Sequence, residues 1–549
     1  MHIADPKREA EHFVQCETQF HLGALPTEQS HPKTRGLSDV IAKDTAAGIR
    51  MLQAVDEDVT AAARRAFASS EFKRLVKSLK AALRRGNRVC FSGCGATGRL
   101  SILLEAAYRK LRSDDSVCSI TTGGDYALVR SVEFFEDYMS FGRQQVIEAG
   151  LGHGDVLVAI TEGGETSSVI GTAWQALEAG AEVFFVCNNP LDVLAAHVER
   201  SRKIIEEPRI TKLDLSSGPM AIAGSTRMQA TTTELLVVGA ALEMALGHAD
   251  DHIERFAAIL RDLGSPAAVN AIASWVEMEE SLYRTKNAIT YFGNELLLDI
   301  FTDTTERAPT FSLPPFRKCD DTRSLRPWAF VKNPLYPTPD TWRQMLGRDP
   351  RCLAWDSAQY QKMGAAEHIW RNPPALNEAE LFKFLIGNEA DPTRYEQPGD
   401  CAAIVATSAE AKVLAEPFAA AARPFGQRAV LILGPAMTLE PACHIPCQLP
   451  SSPLELWQHL AIKLVLNTIS TATAARLGRV ISNWMAYVET TNKKLIDRAT
   501  RLVAELAGLS YAEACYELHK TRAQLAQTPV LAGERLSPVA VTLERLRKK

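Results

Sequence analysis

VCFSGCGATGRL, residues 89–100, decides the fold. Arg88–Ser92 is a short apolar run that reads as a buried strand, and Thr97–Arg112 reads as the helix that follows. Between them stand Gly93, Gly95 and Gly98. Glycines at such a turn let backbone N–H groups approach an anion, and the positive end of a helix macrodipole favours negative charge there. The spacing is also the G-x-G-x-x-G of a dinucleotide site. That rival needs an acid at the end of the next strand. The next run, Ser116–Thr121, leads instead into Thr122, Gly123 and Gly124, and the first acid is Asp125, beyond the turn.

Working outward, Val156–Ile160, Val183–Cys187 and Lys203–Glu206 read as further strands, with helical stretches such as Thr166–Ala179 between them. Buried strands alternating with helices predict a parallel sheet covered on both faces. A second, weaker series runs through Ala288–Gly293, Cys401–Ala406, Ala429–Leu433 and His444–Leu449, separated by Ala409–Ala422 and Leu454–Leu477 as helices. Met228–Gly247 and Asp250–Arg284 read as long helical stretches joining the halves, and Ala308–Pro374 as an irregular segment rich in proline and aromatics. The tail after Gly508 reads as one or two short helices with a loose basic end, LERLRKK.

Two more loops at strand ends carry the same chemistry. TEGGET (Thr161–Thr166) and GSTRM (Gly224–Met228) each open a helix and offer hydroxyl and backbone donors. Each is also a plain helix cap. Three such loops in one α/β unit point to a shared anionic ligand, because parallel sheets bind ligands at the carboxyl ends of their strands. Gly95, Ala96, Thr97, Thr161, Gly163, Thr166, Ser225 and Thr226 are the expected binding residues.

Bulk composition is compatible with this reading. The chain has 549 residues, 46% hydrophobic and 23% charged, with net charge −4. That balance excludes the basic footprint of a nucleic-acid binder. No apolar run reaches the ~18 residues a membrane helix needs, and the polar start lacks a secretory stretch. Eleven cysteines without regular spacing fit reduced thiols in a cytoplasm. The local cluster Cys443, His444 and Cys447 falls short of the converging ligands a metal needs. No metal or cofactor is expected.

At these loops the sequence resembles the sugar isomerase (SIS) superfamily, with likenesses to its N-acetylmuramic acid 6-phosphate etherases and its glucokinase regulatory proteins. TEQSHPKTRGLS (Thr27–Ser38) resembles the TE-x-x-NP-x-T opening, with His31 in place of Asn. GCGATGR resembles G-x-G-T-S-G-R, GGDYA and FFED (within Gly123–Asp137) resemble GGE-x-A and G-x-ED, and GSTRM resembles GSSRM. Far downstream, KLVLNTISTATAARLGRV (Lys463–Val480) and TNKKLIDRA (Thr491–Ala499) are similar to KLVLN-x-x-ST and TN-x-KL, and GLSYAEACYEL to the etherases' terminal module.

GSTRM and KLVLN are separated by more than two hundred residues, where a single-domain etherase runs from one to the other. The resemblance therefore implies an α/β chain with two tandem doubly wound SIS domains and helical N- and C-terminal additions. The segments expected are 1–60 helical, 61–250 the first SIS domain, 251–507 the second, and 508–549 a small helical tail. The second domain carries TERAPTF (Thr305–Phe311), similar to the etherase SECPPTF turn. It has GNELLLD and SPLEL where the loops GCGATGR and GSTRM stand in the first, so its own pocket is expected to be degenerate.

The resemblance implies a phosphorylated sugar as ligand, with Glu136 and Glu165 as candidate catalytic acid/base groups and Lys494 as a substrate-binding lysine supplied from beyond the second domain. The second etherase glutamate maps onto Ala107. Glu105, two residues earlier, is turned about 200° away and reads as a surface or capping charge. Lys463 reads as a helix-surface charge and His459 as a structural histidine. An isomerase or lyase-type enzyme and a sensing regulator with a protein partner both remain open. The short tail, compared with a regulator's lid, favours the enzyme.

Overall fold

The computed structural model describes residues 5–249, 251–435, 443–527 and 536–548. The first sheet has five strands, β1 (Val89–Gly93), β2 (Val117–Thr121), β3 (Val156–Thr161), β4 (Glu182–Cys187) and β5 (Ile210–Asp214). All are parallel, in the order β2-β1-β3-β4-β5. Apolar, β-branched and aromatic residues fill them, and β1 to β3 are buried throughout, as a sheet covered on both faces requires.

The second sheet comprises β6 (Ile289–Phe292), β7 (Ala329–Lys332), β8 (Cys401–Thr407), β9 (Gln427–Leu433) and β10 (Cys443–Ile445). Its order, β7-β6-β8-β9-β10, repeats that of the first sheet, again all parallel. In each sheet the chain leaves the first strand to one side and returns to the third on the other. That reversal opens a crevice at the carboxyl ends of β1 and β3, and of β6 and β8.

Helices Thr45–Ala68, Gln229–Ala245, Pro266–Arg284 and Leu456–Arg476 pack together between the sheets, and one hydrophobic core runs through both halves. Gln229–Ala245 and Leu456–Arg476 are buried almost all round, which is why they lack an amphipathic stripe. At the ends, helix Pro6–Cys16 packs on Tyr511–Gln527, which also meets Lys493–Ala507 and Pro538–Arg547. No helix among the described residues is long and apolar enough to cross a membrane.

Several expectations are corrected. Lys203–Glu206 is helical, within Glu199–Glu206, and the fifth strand is Ile210–Asp214. Ser201 and Ile204, three apart, are the buried positions, so Ile204 belongs to a helix face and not to a strand. The segment expected to be irregular holds strand β7 and helices Thr338–Leu346, Ser357–Lys362 and Glu367–Arg371. β7 has only four residues, too few for a visible alternation. Asp250–Arg284 divides into His252–Leu263 and Pro266–Arg284, with Ser265 capping the second helix through Ala268 N. The basic end is helical through Arg547. The boundary drawn at residue 60 falls inside helix Thr45–Ala68.

Candidate functional site

The three loops of the first sheet converge on one cavity. It is lined by Gly95 and Ala96 at the start of helix Ala96–Arg112, by Glu162 and Thr166, and by Gly224, Ser225, Thr226 and Arg227. Gly93 is needed because a Cβ there would stand 2.4 Å from the backbone carbon of Thr97. The N-terminus of this helix therefore lies at the cavity, where such an end favours an anion.

The far side comes from elsewhere in the chain. Asn492, Lys494, Leu495 and Arg498 belong to the segment after the second sheet, and Glu306, Pro309 and Thr310 to helix Leu297–Phe311 of the second half. Lys494 and Arg498 are four residues apart, so both project from one helix face.

Each cation at the cavity is tied to a carboxylate. Lys494 Nζ lies 3.2 Å from Glu136 Oε1 and 2.9 Å from Glu165 Oε1. Burial works against its ammonium, but Glu136 and Glu165 outweigh that and hold it well above the ordinary lysine range. Arg498 forms two hydrogen bonds to Glu28, at 2.9 and 2.5 Å, and Arg501 a further one at 2.7 Å. Burial opposes ionisation of Glu28, yet these guanidiniums hold its carboxyl far below the usual range. Arg99 pairs with Glu306 and donates to Ala127 O at 2.6 Å. Arg227 pairs with Asp303 at 2.8 Å and donates to Ser470 and Thr471 at 3.1 and 3.0 Å.

Carboxylates differ sharply in environment. Glu162 is buried, accepts from Thr231 Oγ1 at 3.2 Å, and its carboxyl is pushed up to about 7, chiefly by burial, with Lys494 pulling the other way. Glu165 is equally buried, but Lys494 and Arg200 (3.1 Å) outweigh burial and hold it below the ordinary range. A carboxyl titrating near 7 can give and take a proton at neutral pH, and one locked in ion pairs cannot.

Of the residues expected from the sequence, the structure places Gly95, Ala96, Glu136, Thr166, Ser225, Thr226 and Lys494 at the cavity wall. Thr97, Thr161, Gly163 and Glu165 stand behind it. Thr97 Oγ1 is spent on Cys94 N and O, at 3.0 and 2.8 Å, and Thr161 Oγ1 on Thr166 Oγ1 at 3.0 Å. Glu306, Arg99 and Arg498 are wall residues that the sequence reading did not assign, and Glu162, from the TEGGET loop, joins them. Arg498 had a signal, its place one helical turn after Lys494. Glu306 also had one, its place in the TERAPTF turn, but which cavity that turn faces is set by the packing of the two halves.

Two side chains read as surface charges are buried. Glu105 is 1% exposed and accepts from Ser119, Arg109, Arg348 and Arg351. The last two arrive on a loop of the second half, which the sequence spacing does not reveal. The same loop clamps Asp125 through Arg348, at 2.5 and 3.1 Å. Lys463 is 8% exposed and donates to Arg227 O and Met228 O at 2.8 and 3.2 Å, bracing the third loop from below. Burial pulls its ammonium down to about 7. His459 bonds Asp299 at 2.8 Å, and Lys493 pairs with Glu17 at 2.8 Å. Cys443 and His444 are bound to the carbonyls of Ala271 and Gly434.

Comparison with known proteins finds the following likenesses. Residues 71–176 match the family model of the glucokinase regulatory protein N-terminal SIS domain. The chain is 31% identical over 229 residues to N-acetylmuramic acid 6-phosphate etherase of Deinococcus radiodurans, covering 40% of this chain and 69% of that protein. It is 29% identical over 221 residues to N-acetylmuramic acid 6-phosphate etherase 1 of Bacillus licheniformis, covering 40% of this chain and 67% of that one. The solved structure of tagatose-6-phosphate ketose/aldose isomerase from Escherichia coli aligns with a TM-score of 0.47 at 11% identity, over 82% of this chain and 98% of that one.

Proposed function

The chain belongs to the sugar isomerase (SIS) superfamily, and from that premise we propose that it binds a phosphorylated hexose or amino sugar and acts on it as an isomerase or lyase-type enzyme. The observation that carries this is the convergence of Gly95–Ala96, Thr166 and Ser225–Thr226 with Lys494 and Glu162 on one cavity. The phosphate sits at the helix N-terminus, with Ser225 and Thr226 as donors and Lys494 as counter-charge. Glu162 takes the role first given to Glu165. It removes a proton from the carbon beside the carbonyl and, in an isomerisation, returns it to the neighbouring carbon. Glu136 and Glu306 accept hydrogen bonds from sugar hydroxyls.

Etherase chemistry is not proposed, because position 107 carries Ala, a half-buried residue packed against the core with no proton to move. A second reading, a sugar-phosphate-sensing regulator of a partner enzyme, is favoured by the regulatory-protein match over residues 71–176. One experiment separates the two. Hexose and amino-sugar 6-phosphates are incubated with the protein in D2O and followed by NMR. Deuterium appearing at C1 or C2, abolished in Glu162→Gln, is the enzymatic result. Binding without exchange favours the regulator. Thermal stabilisation by NAD and by no sugar phosphate refutes both.

A further inference from the structure

A second cavity, of about 170 Å³, adjoins the first. Ser131 and Pro309 line both, so the two share that stretch of wall. Helix Leu297–Phe311 is the partition. Glu306 faces the first cavity and Thr304, two residues earlier and on nearly the opposite side of the helix, faces the second.

The lining of this second cavity is chemically mixed. Phe316 and Trp328 give it an apolar side. Thr304 is 5% exposed and its hydroxyl has no hydrogen-bond partner among the described residues. A buried hydroxyl left in that state costs about 1–3 kcal/mol, so it marks a place where a polar group of a guest belongs. The Arg130 guanidinium, at the same wall, also has no hydrogen bond or ion pair among the described residues. Glu489, which already accepts from Ser312 Oγ at 3.4 Å, adds a carboxylate.

This combination discriminates among guests. A wholly apolar molecule would leave Thr304 and Arg130 unanswered. A compact anion would meet Arg130 but face the Glu489 carboxylate as well. A neutral ring with C–H faces and several hydroxyls satisfies all of them, because each hydroxyl both donates and accepts. It accepts from Arg130, donates to Glu489 and exchanges either way with Thr304. The volume lies slightly above the ~150 Å³ that holds benzene, the scale of one six-membered ring.

We infer that the second cavity is a subsite for a sugar ring, so that the ligand is a phosphorylated disaccharide whose phosphorylated residue occupies the first cavity. The inference rests on the sugar-phosphate reading of that cavity. The test is calorimetric titration of the intact chain with glucose 6-phosphate and with trehalose 6-phosphate, maltose 6′-phosphate and cellobiose 6′-phosphate. At least one disaccharide phosphate is expected to bind ten times more tightly than glucose 6-phosphate. Arg130→Ala and Thr304→Val should each bring that affinity down to the monosaccharide value and leave glucose 6-phosphate binding unchanged. Glucose 6-phosphate binding as tightly as all three disaccharides overturns the subsite and leaves the first reading intact. Equal weakening of both ligand classes by the two variants overturns it too. Absence of binding by all four sugars overturns both readings.

Discussion

Replacing Lys494 by Ala removes one buried cation from between two carboxylates, at 3.2 Å from Glu136 and 2.9 Å from Glu165. At an effective dielectric of about 20, each contact is worth roughly 5 kcal/mol before desolvation is subtracted. Breaking such a buried pair from one side costs about 3–5 kcal/mol. Glu165 keeps Arg200 at 3.1 Å, so Glu136 is the group left without its cation, and the expected loss is near the lower figure, about 3 kcal/mol. Lys493→Ala is the control. Its side chain is 43% exposed and its pair with Glu17 is worth about 0–1 kcal/mol. Urea unfolding of both variants measures the difference. The sign with pH follows from Glu165, whose carboxyl is held below its ordinary value. Stability from that pair is present above the unfolded carboxylate range and is lost as pH falls, so the wild type and Lys494→Ala should converge in acid. Sugar-phosphate affinity should also fall by about tenfold or more, one charge-assisted contact being worth roughly 1.5–3 kcal/mol. A Lys494→Ala variant within 1 kcal/mol of wild type, or a Lys493→Ala variant equally damaged, would refute the reasoning.

Other expectations follow from the same geometry. Glu162, with its carboxyl raised to about 7, binds a proton more tightly folded than unfolded, so it lowers stability by roughly 3 kcal/mol as pH climbs from about 4.5 to above 7. Glu162→Gln should flatten that part of the pH–stability curve, and an unchanged curve counts against the assignment. Gly224 has φ +77°, and a Cβ there would stand 2.3 Å from Arg498 Nε. Gly224→Ala should therefore cost about 1–3 kcal/mol and weaken sugar-phosphate binding, which unfolding and titration together check. Purified protein given N-acetylmuramic acid 6-phosphate should release no D-lactate, and release at a steady catalytic rate would show that Ala107 does not decide the matter.

Local chemistry made much of this protein legible. The run from Val89 to Leu100 carries a strand, a turn that only small residues permit, and a helix start, all within a dozen neighbours. Such features depend on residues adjacent in the chain, so the parallel first sheet, its loops and the match of Lys494 to a motif could be read directly. The short edge strand β7 could not, because four residues give no period. What faces what was also out of reach. Glu105 and Lys463 sit at positions that suit a solvated charge, and only the arrival of Arg348 and Arg351, or of the Arg227 and Met228 carbonyls, makes burial tolerable. Glu162 and Glu165 lie in one loop with the same side chain, yet one titrates near neutrality and the other is locked as an anion, because Arg200 reaches only the second. Glu306 reaches the first cavity from the second half. Sequence determined the elements and their turns through near-neighbour sterics. Tertiary structure decided which carboxylates are chemically free, because burial and charge pairing are set by residues hundreds of positions away.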